Sequence, residues 1–374
     1  MSAPIRLSRS VIGEREMQEV QRILEIGYLG MGAEVGRFEN ELKDFMGGQR
    51  EVVCVNTGTS ALHLAVQACG IGPGDEVLVP TLTYVASFQA ISATGATPIA
   101  VDVDPSNGFL DPADAERRIT ANTRAIMPVH YASGFGHIDA LYALAKKHQL
   151  RVIEDAAHAF GCHHQGKICG SFGDVICFSF DGIKNITSGE GGAVVSADPD
   201  VIQKVRDARL LGVEKDSEKR LVGKRSWDFD VTAQGWRYHM SELMAAIGRV
   251  QLSRFPDFAA HRVQLARNYQ KAFAAIDTLT DLGLDYGAIV PHIYVILVEP
   301  SLRDRVKAAL DAEGIGVGIH YRPNHLLSLY AQSGDGFPVA DELYEQMLTL
   351  PLHPMVSDED QKRVIETVRS ALLP

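Results

Sequence analysis

Between residues 52 and 196 short apolar runs rich in β-formers alternate with stretches of helical periodicity. This alternation constrains the fold more than any other feature of the chain. The runs at 52–56, 76–80, 98–101, 125–129, 152–154, 175–180 and 192–196 read as strands. Strands alternating with helical segments predict an α/β domain with a doubly wound sheet. In open sheets of this kind ligands collect at the carboxyl ends of the strands. Three segments with chemical potential lie at such ends.

The first is Ser179 to Gly192, SFDGIKNITSGEGG, in which one lysine, Lys184, stands in a turn between two strands. Burial would lower the pKa of its amine and make it nucleophilic, as a Schiff-base lysine requires. The plain alternative is a solvated loop lysine. The second segment is 152–158, VIEDAAH. Asp155 closes a buried strand and reads either as a helix-cap or turn aspartate or, beside Lys184, as the acidic partner of a pyridine nitrogen. Pyridoxal phosphate needs both a lysine and such a carboxylate. His158 reads equally as a cofactor contact or as a core histidine. The third segment is 56–64, NTGTSALHL, a small-residue turn opening a helix. The free N–H groups of that turn and the hydroxyls of Thr59 and Ser60 suit a phosphate, although the same residues make an ordinary N-cap. No Walker lysine follows, so the turn is not a nucleotide P-loop.

The length of 374 residues predicts two or three domains. From Met240 the pattern becomes helical, with apolar residues at Leu243, Ala246, Ile247 and Val250. The reading continues with a long helix at 258–276, a strand at 292–299, a helix at 302–313, a strand at 316–320 and a last helix at 358–372. A boundary near 251–254 gives a large α/β domain, 1–252, and a smaller C-terminal α+β domain, 253–374. Two histidine-rich segments mark the smaller domain, one around His320 and His325 and one at His353.

The net charge of −11 comes without any basic run, which argues against a nucleic-acid partner. The first sixteen residues lack the apolar stretch of a signal peptide, and no apolar run reaches the roughly 20 residues of a membrane span. Five scattered cysteines fit a reducing cytoplasm. Cys162, His163, His164 and Cys169 match no common zinc spacing, and Gly166–Lys167 reads as a hairpin turn, so no metal is expected.

Taken together, the three segments resemble the pyridoxal-phosphate-dependent nucleotide-sugar aminotransferases, the DegT-type family of the aspartate aminotransferase fold (fold type I). The resemblance spans essentially the whole chain. It extends to Gly27-Tyr28-Leu29-Gly30, Gly72-Pro73-Gly74-Asp75-Glu76-Val77, Pro80-Thr81-Leu82-Thr83-Tyr84 and Met240-Ser241-Glu242. It implies Lys184 as the Schiff-base lysine, Asp155 as the pyridine partner and Tyr84 stacked on the ring. Gly58, Thr59 and Ser179 are implied as phosphate contacts, and His158 sits where family members have Gln or His. Leu29, Gly30, His320 and Tyr321 are implied as substrate contacts. Two positions depart from the family pattern. Asp181 stands where His is frequent. Arg237 replaces an asparagine that reaches the cofactor phosphate from a neighbouring subunit; a guanidinium can also pair with phosphate.

The resemblance further implies a two-stage amino transfer in a cytoplasmic homodimer with shared sites. L-glutamate is the donor, the cofactor passes through its pyridoxamine phosphate form, and a nucleotide-linked 4-keto-6-deoxyhexose is the acceptor. The segments 179–192 and 235–241 look most like enzymes making dTDP-4-amino-4,6-dideoxyglucose, for surface polysaccharide such as O-antigen or for glycosides. Amination at C3, or of a GDP- or UDP-sugar, is the close alternative. A dehydratase of the same family would carry histidine in place of Lys184. A regulatory protein on the same fold would need a DNA-binding segment, which the sequence lacks.

Overall fold

The structure, a computed structural model, describes residues 3–225, 227–331 and 336–372. The strands β1 (Glu51–Val55), β2 (Glu76–Pro80), β3 (Thr97–Val101), β4 (Thr123–Ile126) and β5 (Arg151–Asp155) come first. A small hairpin follows, β6 (His163–His164) with β7 (Lys167–Ile168), and then β8 (Val175–Ser179) and β9 (Gly192–Ser196). Seven of these form one sheet in the order β1-β9-β8-β5-β4-β2-β3. All seven coincide with the runs read from the sequence to within a few residues. Neighbours from β8 through β5, β4 and β2 to β3 are parallel, whereas β9 is antiparallel to both β8 and β1. The reversal has a local cause. A parallel return needs a crossover, usually helical, and residues 180–191 contain no helix. The result is the expected doubly wound α/β class with a mixed sheet.

Side-chain alternation places a core on each face. Val52 and Cys54 of β1, with Ile176 and Phe178 of β8, enter one apolar cluster. Val53, Val55, Val175 and Cys177 enter the other. Helices cover both faces. Gly58–Ala68 packs on the second, where Ala61, Leu62, Ala65 and Val66 are buried. Ala33–Phe45 packs on the first through Val35, Phe38 and Leu42.

The C-terminal part differs from the sequence reading in two places. The helices expected at 240–252 and 258–276 are one helix of 32 residues, Glu242–Phe273, which runs straight through 251–254 and contains Pro256. A proline inside a helix costs about 3 kcal/mol. Here Phe255 and Phe258 are buried beside it and Arg254 pairs with Glu16 at 2.6 Å, so tertiary packing carries the helix past the break. The strand expected at 316–320 is absent as well, for Gly318 makes only an isolated bridge to Thr349. The small antiparallel sheet is instead β10 (Leu279–Asp281), β11 (Tyr294–Val298) and β12 (Met347–Leu350), in that order. Helices Pro300–Ala312 and Asp358–Leu372 lie where expected.

The start of the chain packs on this C-terminal part: Ile5 N donates to Gly314 O at 3.0 Å and Gly316 N to Ile5 O at 2.7 Å. One apolar cluster joins Phe160 and Phe180 to Phe255, Leu265 and Val364, so a common core underlies both halves. Among the described residues no helix is long and apolar enough to cross a membrane.

Candidate active site

The loop between β8 and β9 is folded back on itself by short contacts. Asp181 N donates to Ser179 Oγ (3.3 Å), Lys184 N to Asp181 O (3.1 Å) and Ser188 N to Phe180 O (2.9 Å). Ile186 is buried in the core beneath, and Asn185 Nδ2 donates to the carbonyls of Phe160 and Val290. Anchored on both sides, the loop presents Lys184 to a cavity of about 430 Å³ at the carboxyl ends of β1, β5 and β8.

Nine of the residues singled out in the sequence line this cavity: Gly58, Thr59, Tyr84, Asp155, His158, Ser179, Lys184, His320 and Tyr321. Three do not line it within one protomer. The Leu29 and Gly30 carbonyls both accept from Glu242 N, and the Glu242 carboxylate accepts from Glu34 N and Val35 N at the start of the next helix. Arg237 is exposed, and its backbone forms an isolated antiparallel bridge with buried Leu210. Its neighbours Trp236 and Tyr238 pack on His63.

The phosphate-type turn is built by close approach. Thr57 caps the helix Gly58–Ala68 by accepting from Ser60 N at 2.9 Å, and Ala61 N bonds to Thr57 O. The N–H groups of Gly58 and Thr59 then have no partner within the helix. A Cβ at Gly58 would stand 2.7 Å from Ser179 Cβ, so only glycine lets the helix start meet the end of β8.

Asp155 ends β5, where its Oδ2 accepts from Ser87 Oγ at 2.7 Å and its Oδ1 from Ala157 N at 3.1 Å. Both donors fix the carboxylate as an acceptor facing the cavity. The Lys184 amine is pushed down to about 8, chiefly by burial; Asp155 and Asp181 oppose the shift and Arg262 adds to it. An amine with that value is available as a nucleophile and as a base near neutral pH.

Histidines crowd the same end of the cavity. His158 Nε2 pairs with Tyr321 OH at 3.1 Å, and its ring lies 4.4 Å, centroid to centroid, from that of His292. His292 Nε2 is 3.4 Å from Lys184 Nζ. Burial, reinforced by the lysine charge, holds both imidazoles well below the usual histidine range, and lowers His320 to about 4. His320 Nδ1 pairs with Thr349 Oγ1 at 2.9 Å, and Tyr131 OH donates to the His320 carbonyl. These contacts draw residues 316–320 toward the cavity and away from a regular strand.

Sequence reasoning missed His292, which it read only as the start of a strand. It also missed the cavity-lining Thr57, Thr83 and Glu190. No local signal marks His292, because its role follows from the meeting of the segment before β11 with the lysine loop, where Asn185 donates to Val290 O and Lys184 meets His292. Of the other histidines, His325 is tied to Asp341 (3.0 Å) and Thr81 (2.8 Å), and His353 to the Arg6 carbonyl (3.0 Å).

The residues present fit pyridoxal phosphate. An amine, a carboxylate held by two donors, and a glycine-built turn with unpaired N–H groups surround one cavity. The buried His158 Nδ1 there has no hydrogen-bond partner among the described residues. Gly58, Thr59 and Ser179 can hold the phosphate, Asp155 the ring nitrogen and Lys184 the aldehyde carbon, with Tyr84 and His158 beside the ring.

Comparison with known proteins agrees with this fit. The family model described as DegT/DnrJ/EryC1/StrS aminotransferase family matches residues 10–369. The chain is similar to the spore coat polysaccharide biosynthesis protein SpsC of Bacillus subtilis, with 38% identity covering 97% of this chain and 95% of the relative. Among solved structures it is similar to DesV of S. venezuelae, determined in complex with a ketimine intermediate. The match is 34% identical, covers 96% of this chain and 94% of the other, and has a TM-score of 0.87. It is also similar to Spr1654 of Streptococcus pneumoniae in its PLP form, at 29% identity over the whole of both chains with a TM-score of 0.91.

Proposed function

The chain belongs to the DegT/DnrJ/EryC1/StrS aminotransferase family and is a pyridoxal-phosphate-dependent sugar aminotransferase, and we propose that it moves an amino group from L-glutamate to C4 of dTDP-4-keto-6-deoxyglucose. The observation that carries the chemistry is the meeting of Lys184, Asp155 and the Gly58–Ser179 cradle in one cavity. The choice of acceptor rests on the likeness of 179–192 and 235–241 to enzymes of that specificity.

When bound, the cofactor supplies an electron sink for the carbon that loses a proton. The chain supplies the rest. Lys184, freed as an amine, takes the proton from Cα of glutamate and returns one to the sugar carbon in the second half-reaction. Asp155, clamped by Ser87 and Ala157, would face the ring nitrogen and accept from it. The first-turn N–H groups of Gly58 and Thr59, with the Ser179 hydroxyl, bind the phosphate. His320 and Tyr321, at the side formed by the C-terminal part, orient the sugar. 2-Oxoglutarate leaves after the first stage and the aminosugar after the second.

The enzyme works as a cytoplasmic homodimer in this reading. An apolar groove lined by Ile12, Met17, Val20, Leu24 and Ile247 supports it, because Ile12, Met17 and Leu24 are each about half exposed in the single chain. Arg237 then reaches the partner's cavity, and Leu29 and Gly30 border the shared sugar site. The relative SpsC, named for spore coat polysaccharide, supports a product that enters surface polysaccharide.

The test is incubation of the purified enzyme and glutamate with a panel of dTDP-, GDP- and UDP-linked ketosugars, with NMR of the products. An amine at C4 of the dTDP sugar is expected. Amination only at C3, or turnover only of a GDP- or UDP-sugar, rejects the acceptor.

A further inference from the structure

Arg262 lies on the helix Glu242–Phe273, is 2% exposed, and forms no ion pair among the described residues. Its Nη1 donates to three carbonyls, those of Pro291 (3.4 Å), His292 (3.2 Å) and Leu352 (3.0 Å). Its Nε is buried with no hydrogen-bond partner among the described residues. A buried cation with no carboxylate is costly, and neutral side chains of similar size would cost less. Its position suggests what offsets that cost. Arg262 and Lys184 line the same small space, separate from the main cavity. One of the three carbonyls it gathers belongs to His292, whose imidazole reaches the lysine amine.

We propose that Arg262 is a positioning residue for Lys184: its charge adds to burial in favouring the free amine, and its grip on the Pro291, His292 and Leu352 carbonyls holds the His292 imidazole against that amine. Among the groups around Lys184, Asp155, Asp181 and Glu190 favour its protonated form, whereas Arg262 and the exposed Arg9 oppose it. His158, His292, His320 and Tyr321 face it as neutral groups. Of the two cations only Arg262 is held out of water, where its field is least screened. The direction is in keeping with the lowered lysine: burial is the main cause, and Arg262 adds to it by less than Asp155 and Asp181 each oppose it.

The experiment is competitive labelling of the full-length, cofactor-free protein with acetic anhydride across a pH series. The Lys184 peptide is quantified by mass spectrometry against that of the exposed Lys167. This readout needs neither cofactor nor sugar, so the sugar specificity can fail while this inference stands, and the reverse. In wild type the midpoint for Lys184 should lie well below the ordinary lysine value of 10.5. Arg262→Gln removes the charge, so the midpoint should rise and labelling at pH 7 should fall about three- to tenfold. A wild-type midpoint near 10.5 overturns the proposal, and that measurement stands even if Arg262→Gln does not fold. An unchanged midpoint in folded Arg262→Gln overturns it as well.

Discussion

At the scale of single residues the site turns on how burial sets charge. Lys184 titrates near 8 instead of 10.5, mainly because water is kept from it. Raising the pH through about 8 increases the free amine, so the rate of the proton-transfer step should climb across that range. A pH profile flat between about 7 and 9 contradicts this assignment. Lys184→Ala should lose both turnover and the borohydride-fixed label while retaining some cofactor, as absorbance and peptide mapping will show; a label on Lys167 or Lys224 moves the assignment elsewhere. Asp155→Asn keeps the shape and removes the charge, and kcat should fall at least about a hundredfold. A variant with near-normal kcat would make Asp155 a structural cap. His158 and His292 act on stability instead. Their folded values lie below 6.5, so as the pH falls below 6.5 the unfolded chain binds protons that the folded chain does not. Stability is therefore lost toward acid: Tm should drop between about pH 7.5 and about 5.5, and less so in His158→Gln.

At the scale of elements, strand ends are the positions that matter, and the tightest of them joins the helix Gly58–Ala68 to β8. Gly58→Ala would place a methyl 2.7 Å from Ser179 Cβ. Overpacking of this kind costs about 1–3 kcal/mol. The cost should appear as a lower Tm together with a weaker cofactor Kd, because the displaced turn is also the phosphate cradle. Unchanged cofactor affinity in a destabilised Gly58→Ala would detach the turn from the phosphate. The seven strands of the main sheet were legible in the sequence because each is a short apolar run bounded by turn residues. The helix Glu242–Phe273 was not, since Pro256 is a local breaker and only the packing of Phe255 and Phe258 overrides it. Nor was the irregular path of 316–320, whose residues would suit a strand but are held by Tyr131 and Thr349 from other parts of the chain.

At the scale of the whole molecule, Arg237, Leu29 and Gly30 stand apart from the cavity of their own chain, and the proposed dimer is what gives them a role. Mixing inactive Lys184→Ala with inactive Arg237→Ala under subunit exchange should restore activity, because each mixed dimer then holds one site with both residues intact. A mixture that stays inactive assigns Arg237 to its own subunit, and full activity of Arg237→Ala alone removes it from the mechanism. The sequence by itself determined the α/β class, the order of the strands along the chain, and the three segments that bear Lys184, Asp155 and the Gly58 turn. Those features are local, written in apolar periodicity, in turn residues and in residue types whose chemistry is specific. Only the tertiary structure decided that one helix spans 242–273, that His292 reaches the lysine amine, and that Arg262 lines a space in common with Lys184. Those features depend on contacts between residues far apart in the chain, such as Lys184 with His292 and Arg254 with Glu16, where burial and packing, and no neighbouring residue, set the outcome.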